Sequence, residues 1–397
     1  MKFNLFKNTG PGILITAAFI GPGTVTVCLL SGNKFGFTLL WVMIFAVFAT
    51  NVLQEMSARL GLVTGAGLSE AIKNSLTIRW IRYAFFLMII AGILIGNAAY
   101  EAGNMSGTLI GMKMITSSTV PDILLNTLVY APAFALLYYG TYKVIEKFFI
   151  TIVILMSLSF IAAAIISKPD IVLLISGFIP SIPDQSILSI VGLVGTTVVP
   201  YNLFLHAAMI KNKWNHVSNL NDVKKDTLLA VTIGGIISAC IIITGASTLG
   251  QDINSISDLS TPFELMYGSA GKYLFGFGIF AAGFTSTITA PLAASLVAKG
   301  LFSWDEALDK NKIRSIWMGI LTIGFIFASA GYKPIEVIRL AQFANGLLLP
   351  VIAIFLIWVV NRRKVMNEYV NTRIQNIASF VVMIIAIGLG MKGVGLI

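Results

Sequence analysis

Charge is what this sequence has least of: Asp, Glu, Lys and Arg make up only 11 % of its 397 residues, against about 25 % in an ordinary soluble domain. With 57 % hydrophobic residues and a mean hydropathy of +0.89, the composition excludes a water-soluble enzyme or a nucleic-acid module. Histidine is nearly missing too, with His206 and His216 the only two. Neither a Ser–His pair nor His/Glu metal spacing is available inside an apolar segment, so no enzyme is expected and no catalytic residue is assigned. The two cysteines, Cys28 and Cys240, lie far apart in apolar stretches and read as small core residues rather than a disulfide.

What the chain does have is long apolar runs, such as Ile150 to Ile166 and Ala230 to Ile243, recurring along its length. Stretches long enough to cross about 30 Å of hydrocarbon predict an all-α integral membrane protein with about eleven transmembrane helices, at 10–31, 37–60, 80–112, 121–140, 144–167, 186–210, 226–250, 266–299, 313–330, 335–361 and 370–391. Met1 to Asn8 has two lysines but leads into a full-length helix without an Ala-x-Ala cleavage site, so the first helix is expected to stay as a span. The net charge of +10 comes from 27 Lys and Arg against 17 Asp and Glu. With the N-terminus inside, only Lys34, Lys113, Lys168, Lys272, Lys333, Arg339 and Lys392 fall outside, which predicts N-in, C-out. A bacterial cytoplasmic membrane, with lipids as the surroundings and no nucleic acid or evident protein partner, is the matching expectation.

Two expected helices carry Gly/Pro interruptions near mid-membrane, Gly21-Pro22-Gly23 in the first and Gly195 to Pro200 in the sixth. Matched breaks five helices apart point to a transporter with two five-helix inverted repeats, about 10–167 and 186–361, plus an extra helix at about 370–391. The competing reading is that Gly and Pro merely kink these helices, which membranes tolerate. If the repeats hold, a small solute or ion binds between the breaks and crosses by alternating access.

Three stretches carry a family resemblance: Gln54-Glu55-Met56-Ser57-Ala58-Arg59-Leu60-Gly61-Leu62-Val63-Thr64-Gly65 in the second helix, Pro200-Tyr201-Asn202-Leu203-Phe204-Leu205-His206 in the sixth, and Ala282-Gly283-Phe284-Thr285-Ser286-Thr287-Ile288-Thr289 in the eighth. They resemble the Nramp family, proton-coupled importers of manganese, iron and similar divalent metals built on the leucine-transporter-type fold. The tenth helix keeps Gln342 and Pro350 where that family has them.

The departures fall where the chemistry should be. The family's first break reads Asp-Pro-Gly-Asn, whose polar side chains hold the metal; here the positions are Gly21, Pro22, Gly23 and Thr24. In the sixth helix the family's Ala, two residues, then Met-Pro-His becomes Thr196, then Val199-Pro200-Tyr201, so the soft sulfur ligand is gone. The proton-route motif Asp-x-x-Glu of the third helix aligns with Asn97-Ala98-Ala99-Tyr100. His206 remains as a titratable family position, and Glu101 is an acid the family lacks there.

A dehydrated divalent ion needs anionic or strongly dipolar ligands. The candidate binding positions Gly21, Pro22, Gly23, Thr24, Thr196, Thr197, Val199, Tyr201, Gln342 and Asn345 bring hydroxyls, amides and backbone but no formal charge, so no metal ligand set is assigned. Half-helix N-termini favour anions, and the expected substrate is therefore a small organic acid, zwitterion or anion. The alternative is a hydrated magnesium- or manganese-like divalent cation, not necessarily proton-coupled. Candidate coupling positions are Asn97, Tyr100, Glu101 and His206; an ionisable group within a membrane is a functional suspect by default. Against a coupling role of equal weight, Glu101 reads as facing a water-filled vestibule or pairing with a cation, and His206 reads first as a hydrogen-bonded structural histidine near the cytoplasmic end. The hydroxyls of Thr285, Ser286, Thr287 and Thr289 lie where related folds often place sodium, and read otherwise as helix-packing contacts. No cofactor is expected beyond a coupling proton or sodium ion.

Overall fold

A computed structural model describes residues 10–116, 120–251, 257–260, 263–264, 267–305, 307–330 and 348–393; among the described residues there is no strand. The first span is broken: α1 (Gly12–Phe19) and α2 (Pro22–Phe35) meet at 57°. There follow α3 (Leu40–Thr64), α4 (Leu68–Ser75) and α5 (Arg79–Ile89), which continues through a π-helical turn, Ile90–Ile95, into α6 (Gly96–Thr116). Beyond these lie α7 (Asp122–Tyr139), α8 (Tyr142–Ile166), α9 (Ile171–Ser176), α10 (Ile187–Thr197), α11 (Pro200–Met209) and α12 (Leu220–Ala246). The series ends with α13 (Ser269–Phe302), α14 (Lys310–Ser329), α15 (Leu348–Val360), α16 (Arg363–Met366) and α17 (Arg373–Gly393).

Among the described residues, eight helices are long and apolar enough to cross a membrane, nine with the broken pair. Two shorter apolar helices, Leu348–Val360 and Arg373–Gly388, stand where the last two of the eleven expected spans lie, the first of them following 331–347, outside the described residues. The span expected at 186–210 is α10 and α11 in sequence, which together count as one membrane-long helix, Ile187–Asn212.

Burial sorts the helices. In α13, 83 % of the most apolar window is inside the protein and in α10–α11 78 %, against 22 % in α7 and 28 % in α14. The broken pair α1 and α2 is likewise mostly buried, so these helices and α10, α11 and α13 are central, and α7 and α14 are peripheral. Close approach at the centre depends on small residues: a Cβ added at Gly283 would stand 2.8 Å from the backbone nitrogen of Thr108, and one at Gly111 2.5 Å from that of Phe280, so α6 and α13 meet backbone to backbone.

Local chemistry sets the ends. Helix α3 stops at Gly65, whose φ of +64° suits glycine and whose N–H bonds the Gly61 carbonyl at 3.0 Å. Asp170 caps α9, its carboxylate accepting from the N–H groups of Val172 and Leu173 at 2.8 and 3.1 Å. Asp122 opens α7 and pairs with Lys113 at 2.6 Å. Cys28 and Cys240 are free, as expected.

Candidate functional site

The first break arises because Pro22 has no N–H to offer and forces the residue before it out of the helical region. Gly21 takes φ −99°, ψ −178°, and Pro22 starts α2. The last carbonyls of α1 thereby lose their intrahelical partners. Each is met by a hydroxyl: Thr285 of α13 donates to Ala17 at 3.3 Å, Tyr201 of α11 to Ala18 at 2.9 Å, and Thr24 of α2 to Phe19. Thr285 also lies within 3.1 Å of the Ala281 and 3.0 Å of the Ala282 carbonyl of its own helix.

The second break repeats the device. Val198 has φ −93°, ψ 68°, Val199 is extended, and Pro200 begins α11. The Thr196 carbonyl left there faces the Thr24 hydroxyl at 3.5 Å, so the two breaks sit side by side. Thr24, Thr196 and Tyr201 are all 0 % exposed, so the meeting point of the breaks is buried.

The structure thus brings together Gly21, Pro22, Gly23, Thr24, Thr196, Val199 and Tyr201, all buried. Thr197 is not part of the meeting point through its side chain, which turns back to the Leu193 carbonyl at 2.9 Å; the Thr196 hydroxyl does the same at 3.0 Å, leaving its carbonyl as the group presented. Tyr201 spans between helices, its hydroxyl on the Ala18 carbonyl, and packs edge-on against Tyr100 with ring centres 5.6 Å apart. Gln342 and Asn345 lie outside the described residues.

Gly21, which the resemblance sets against the family's Asp, has the space beside it taken. A Cβ there would stand 2.6 Å from the Ser286 hydroxyl and 3.6 Å from that of Tyr100. Of the neutral replacements in α6, Asn97 is tied to α13, its side-chain amide donating to the Ala290 carbonyl at 3.0 Å. Glu101 is fully buried; one carboxylate oxygen accepts from Asn104 at 3.2 Å and the other, outside ordinary hydrogen-bond geometry, faces the Thr287 hydroxyl. Gly324 of α14 makes room for it, since a Cβ there would stand 2.5 Å from the Glu101 Cγ. Neither a vestibule nor a cationic partner meets Glu101 among the described residues.

His206 is buried with its Nδ1 2.9 Å from Oε1 of Gln54. That oxygen only accepts, so Nδ1 carries the hydrogen, while Nε2 has no partner. The second-helix motif therefore has a physical role, because Ser57, one turn further along α3, donates to the Leu203 carbonyl and ties α3 to α11 a second time. Arg59 of the same motif is buried, bonded to Glu55 at 2.9 Å, to Asn371 at 2.6 Å and to the Tyr369 carbonyl.

Sequence reasoning misses two partners. Asn104 looks like one more polar residue in a helix, with nothing to single it out. Asp226, in the second turn of α12, accepts from the N–H groups of Gly10 and Gly12 at 2.8 and 2.9 Å and clamps the free end of α1. Its one signal in the sequence is an acid just inside an apolar run. Among the described residues no group of three or more His, Cys, Asp or Glu is placed to hold a metal.

The profile of a family described as natural resistance-associated macrophage protein-like, Nramp, matches residues 12–395. Two relatives bear the name divalent metal cation transporter MntH. The protein from Pectobacterium carotovorum is 25 % identical over 95 % of this chain and 91 % of its own length, and that from Caldanaerobacter subterraneus is 26 % identical with the same coverage. The crystal structure of the Eremococcus coleocola manganese transporter superposes with a TM-score of 0.81 at 19 % identity, covering 99 % of this chain and 87 % of that one. MhsT, solved in complex with L-phenylalanine, shares the architecture at a TM-score of 0.62 and 13 % identity, covering 96 % of this chain and 97 % of that one. The fold is thus the leucine-transporter-type fold expected from the sequence, and the relatives' names side with the divalent-cation alternative, not with an organic acid.

Proposed function

The chain belongs to the Nramp family and is a membrane transporter, and from that premise we propose that it carries a hard divalent cation of the magnesium type that keeps part of its water. The observation that carries this reading is the donor set at the paired breaks: the carbonyls of Ala17, Ala18, Phe19 and Thr196 and the hydroxyls of Thr24, Tyr201 and Thr285. These are all oxygens, all neutral, and on converging elements. Oxygen ligands suit magnesium, whereas the sulfur and nitrogen that favour softer metals are absent from these positions. A neutral cage does not repay full dehydration of a doubly charged ion, so the ion retains water. In the closed site each hydroxyl donates to a carbonyl; an entering ion turns the hydroxyl lone pairs inward and takes the carbonyls itself.

Glu101 then supplies the missing charge. A carboxylate buried without a cationic partner is tolerated in its neutral form, and giving up that proton as the ion enters offsets one of its two charges. Tyr100 and Tyr201 are the titratable neighbours on the substrate side. The same reading keeps the two inverted five-helix units, about 10–167 and 186–361, and the basic face inside.

One observation favours an organic acid or other anion as a second reading: the N-terminus of α2 has no side-chain cap, and such an end attracts negative charge. Thermal unfolding of the purified protein separates the two. A ligand at 100 times its Kd stabilises by about 2.7 kcal/mol. Magnesium is expected to raise the midpoint in wild type and not in Thr24→Val; stabilisation by small organic acids alone overturns the cation reading.

A further inference from the structure

A second polar site lies away from the breaks, on the face where α3, α4 and the α15–α16 junction end. It is a cavity of about 870 Å³ whose walls include Glu70, Asn74, Thr77, Arg362, Arg363 and Lys364. Three cations against one acid make it the reverse of the neutral cation site at the centre.

Not all of these cations are free for a ligand. Arg362 donates to the Ser75 carbonyl at 2.8 Å and stacks on Trp358 at 4.2 Å, and Arg82 holds the Leu76 carbonyl through two nitrogens at 3.1 and 2.6 Å. These two fix the loop that forms one wall. Arg363 and Lys364 are exposed and have no ion-pair partner among the described residues. The local potential is felt nearby: burial and the adjacent Arg82 hold the Lys73 ammonium below its ordinary range, with Glu70 opposing them.

The position of the cavity relative to lipid selects the ligand. Its rim residue Thr77 leads through Ile78, 50 % exposed, into α5, where Trp80 and Tyr83 are 71 % and 67 % exposed beside Arg79 and Arg82. Exposed Trp and Tyr with flanking Arg mark the headgroup level of a bilayer, and Leu87, one to two turns further, is 70 % exposed and faces the acyl region. The cavity therefore opens at headgroup depth with an apolar track leading away from it, and basic pockets of this kind hold anionic headgroups.

We propose that this cavity binds the phosphate-bearing headgroup of an acidic phospholipid, with Arg363 and Lys364 as the charged contacts and the outer face of α5 as the seat of its acyl chains. Binding here joins the end of α4 to the end of α15, two segments that Arg362 already ties together. The site is independent of the cargo, so neither identification depends on the other.

The test places the full chain in nanodiscs of phosphatidylcholine with phosphatidylglycerol titrated in, and reads retained phosphatidylglycerol by native mass spectrometry and the unfolding midpoint in the same discs. A basic side chain near an anionic headgroup contributes about 1 kcal/mol, about fivefold in affinity. Arg363→Ala with Lys364→Ala is expected to weaken retention by about thirtyfold while leaving the midpoint in pure phosphatidylcholine unchanged, because both residues are exposed. Equal retention by variant and wild type overturns the proposal. So does displacement of the bound lipid by inorganic phosphate, which would make the cavity a free-phosphate site.

Discussion

At position 21 the absence of a side chain decides what the site is. A carboxylate there would overlap Ser286, whose hydroxyl stands 2.6 Å from where a Cβ at Gly21 would lie, so restoring the family's ligand by one substitution is blocked by α13. Gly21→Ala is expected to destabilise the protein by about 1–3 kcal/mol, the usual overpacking cost, and adding Ser286→Ala to recover most of it; thermal unfolding of both variants reads this. Glu101→Gln keeps the volume and the bond from Asn104 but removes the titrating oxygen. Uptake by this variant is expected to lose its dependence on pH while wild type keeps it, and an unchanged pH profile would make Glu101 structural. The positions of Thr24, Thr196 and Tyr201 were legible because Gly and Pro announce where helices break. The direction of each hydroxyl was not, since Thr197 and Thr196 differ by one residue and the helix alone sets which backbone group is presented.

Helix α1 is eight residues long, short for independent stability, and is held by its ends. Its C-terminal carbonyls rest on three hydroxyls and its N-terminal amides on Asp226, while Trp214 packs against Gly10 so closely that no Cβ fits. Opening the site toward that side requires the Asp226 clamp to release. Asp226→Asn removes the charge from bonds worth about 1.5–3 kcal/mol each to an ionised acceptor, and amide hydrogen exchange across residues 12–19 is expected to accelerate while α13 stays protected. Equal exchange in the two proteins would contradict the clamp. The long apolar spans were legible from hydropathy because each matches the bilayer in length. The short helices α4, α9 and α16 were not, nor was the π turn at Ile90–Ile95, because packing rather than period creates them; Gly92 within that turn lies tight against Leu348.

For the whole molecule, scarcity of charge limits the chemistry: among the described residues Glu101 is the acid nearest the paired breaks with an unpartnered oxygen. Family and fold could be read from motifs spread over three helices, because those motifs tie α3 to α11 and form the core of α13. Substrate class could not, because replacing Asp, Asn and Met ligands removes a metal site without announcing its successor, and the geometry of carbonyls at a break is set by backbone rather than by side-chain identity. The most direct measurement is ion flux into proteoliposomes carrying an internal magnesium-sensitive dye, with manganese and small organic acids as competitors. The account predicts magnesium entry in wild type that is lost in Thr24→Val and is not displaced by organic acids. Entry of a labelled organic acid without any cation flux would contradict it.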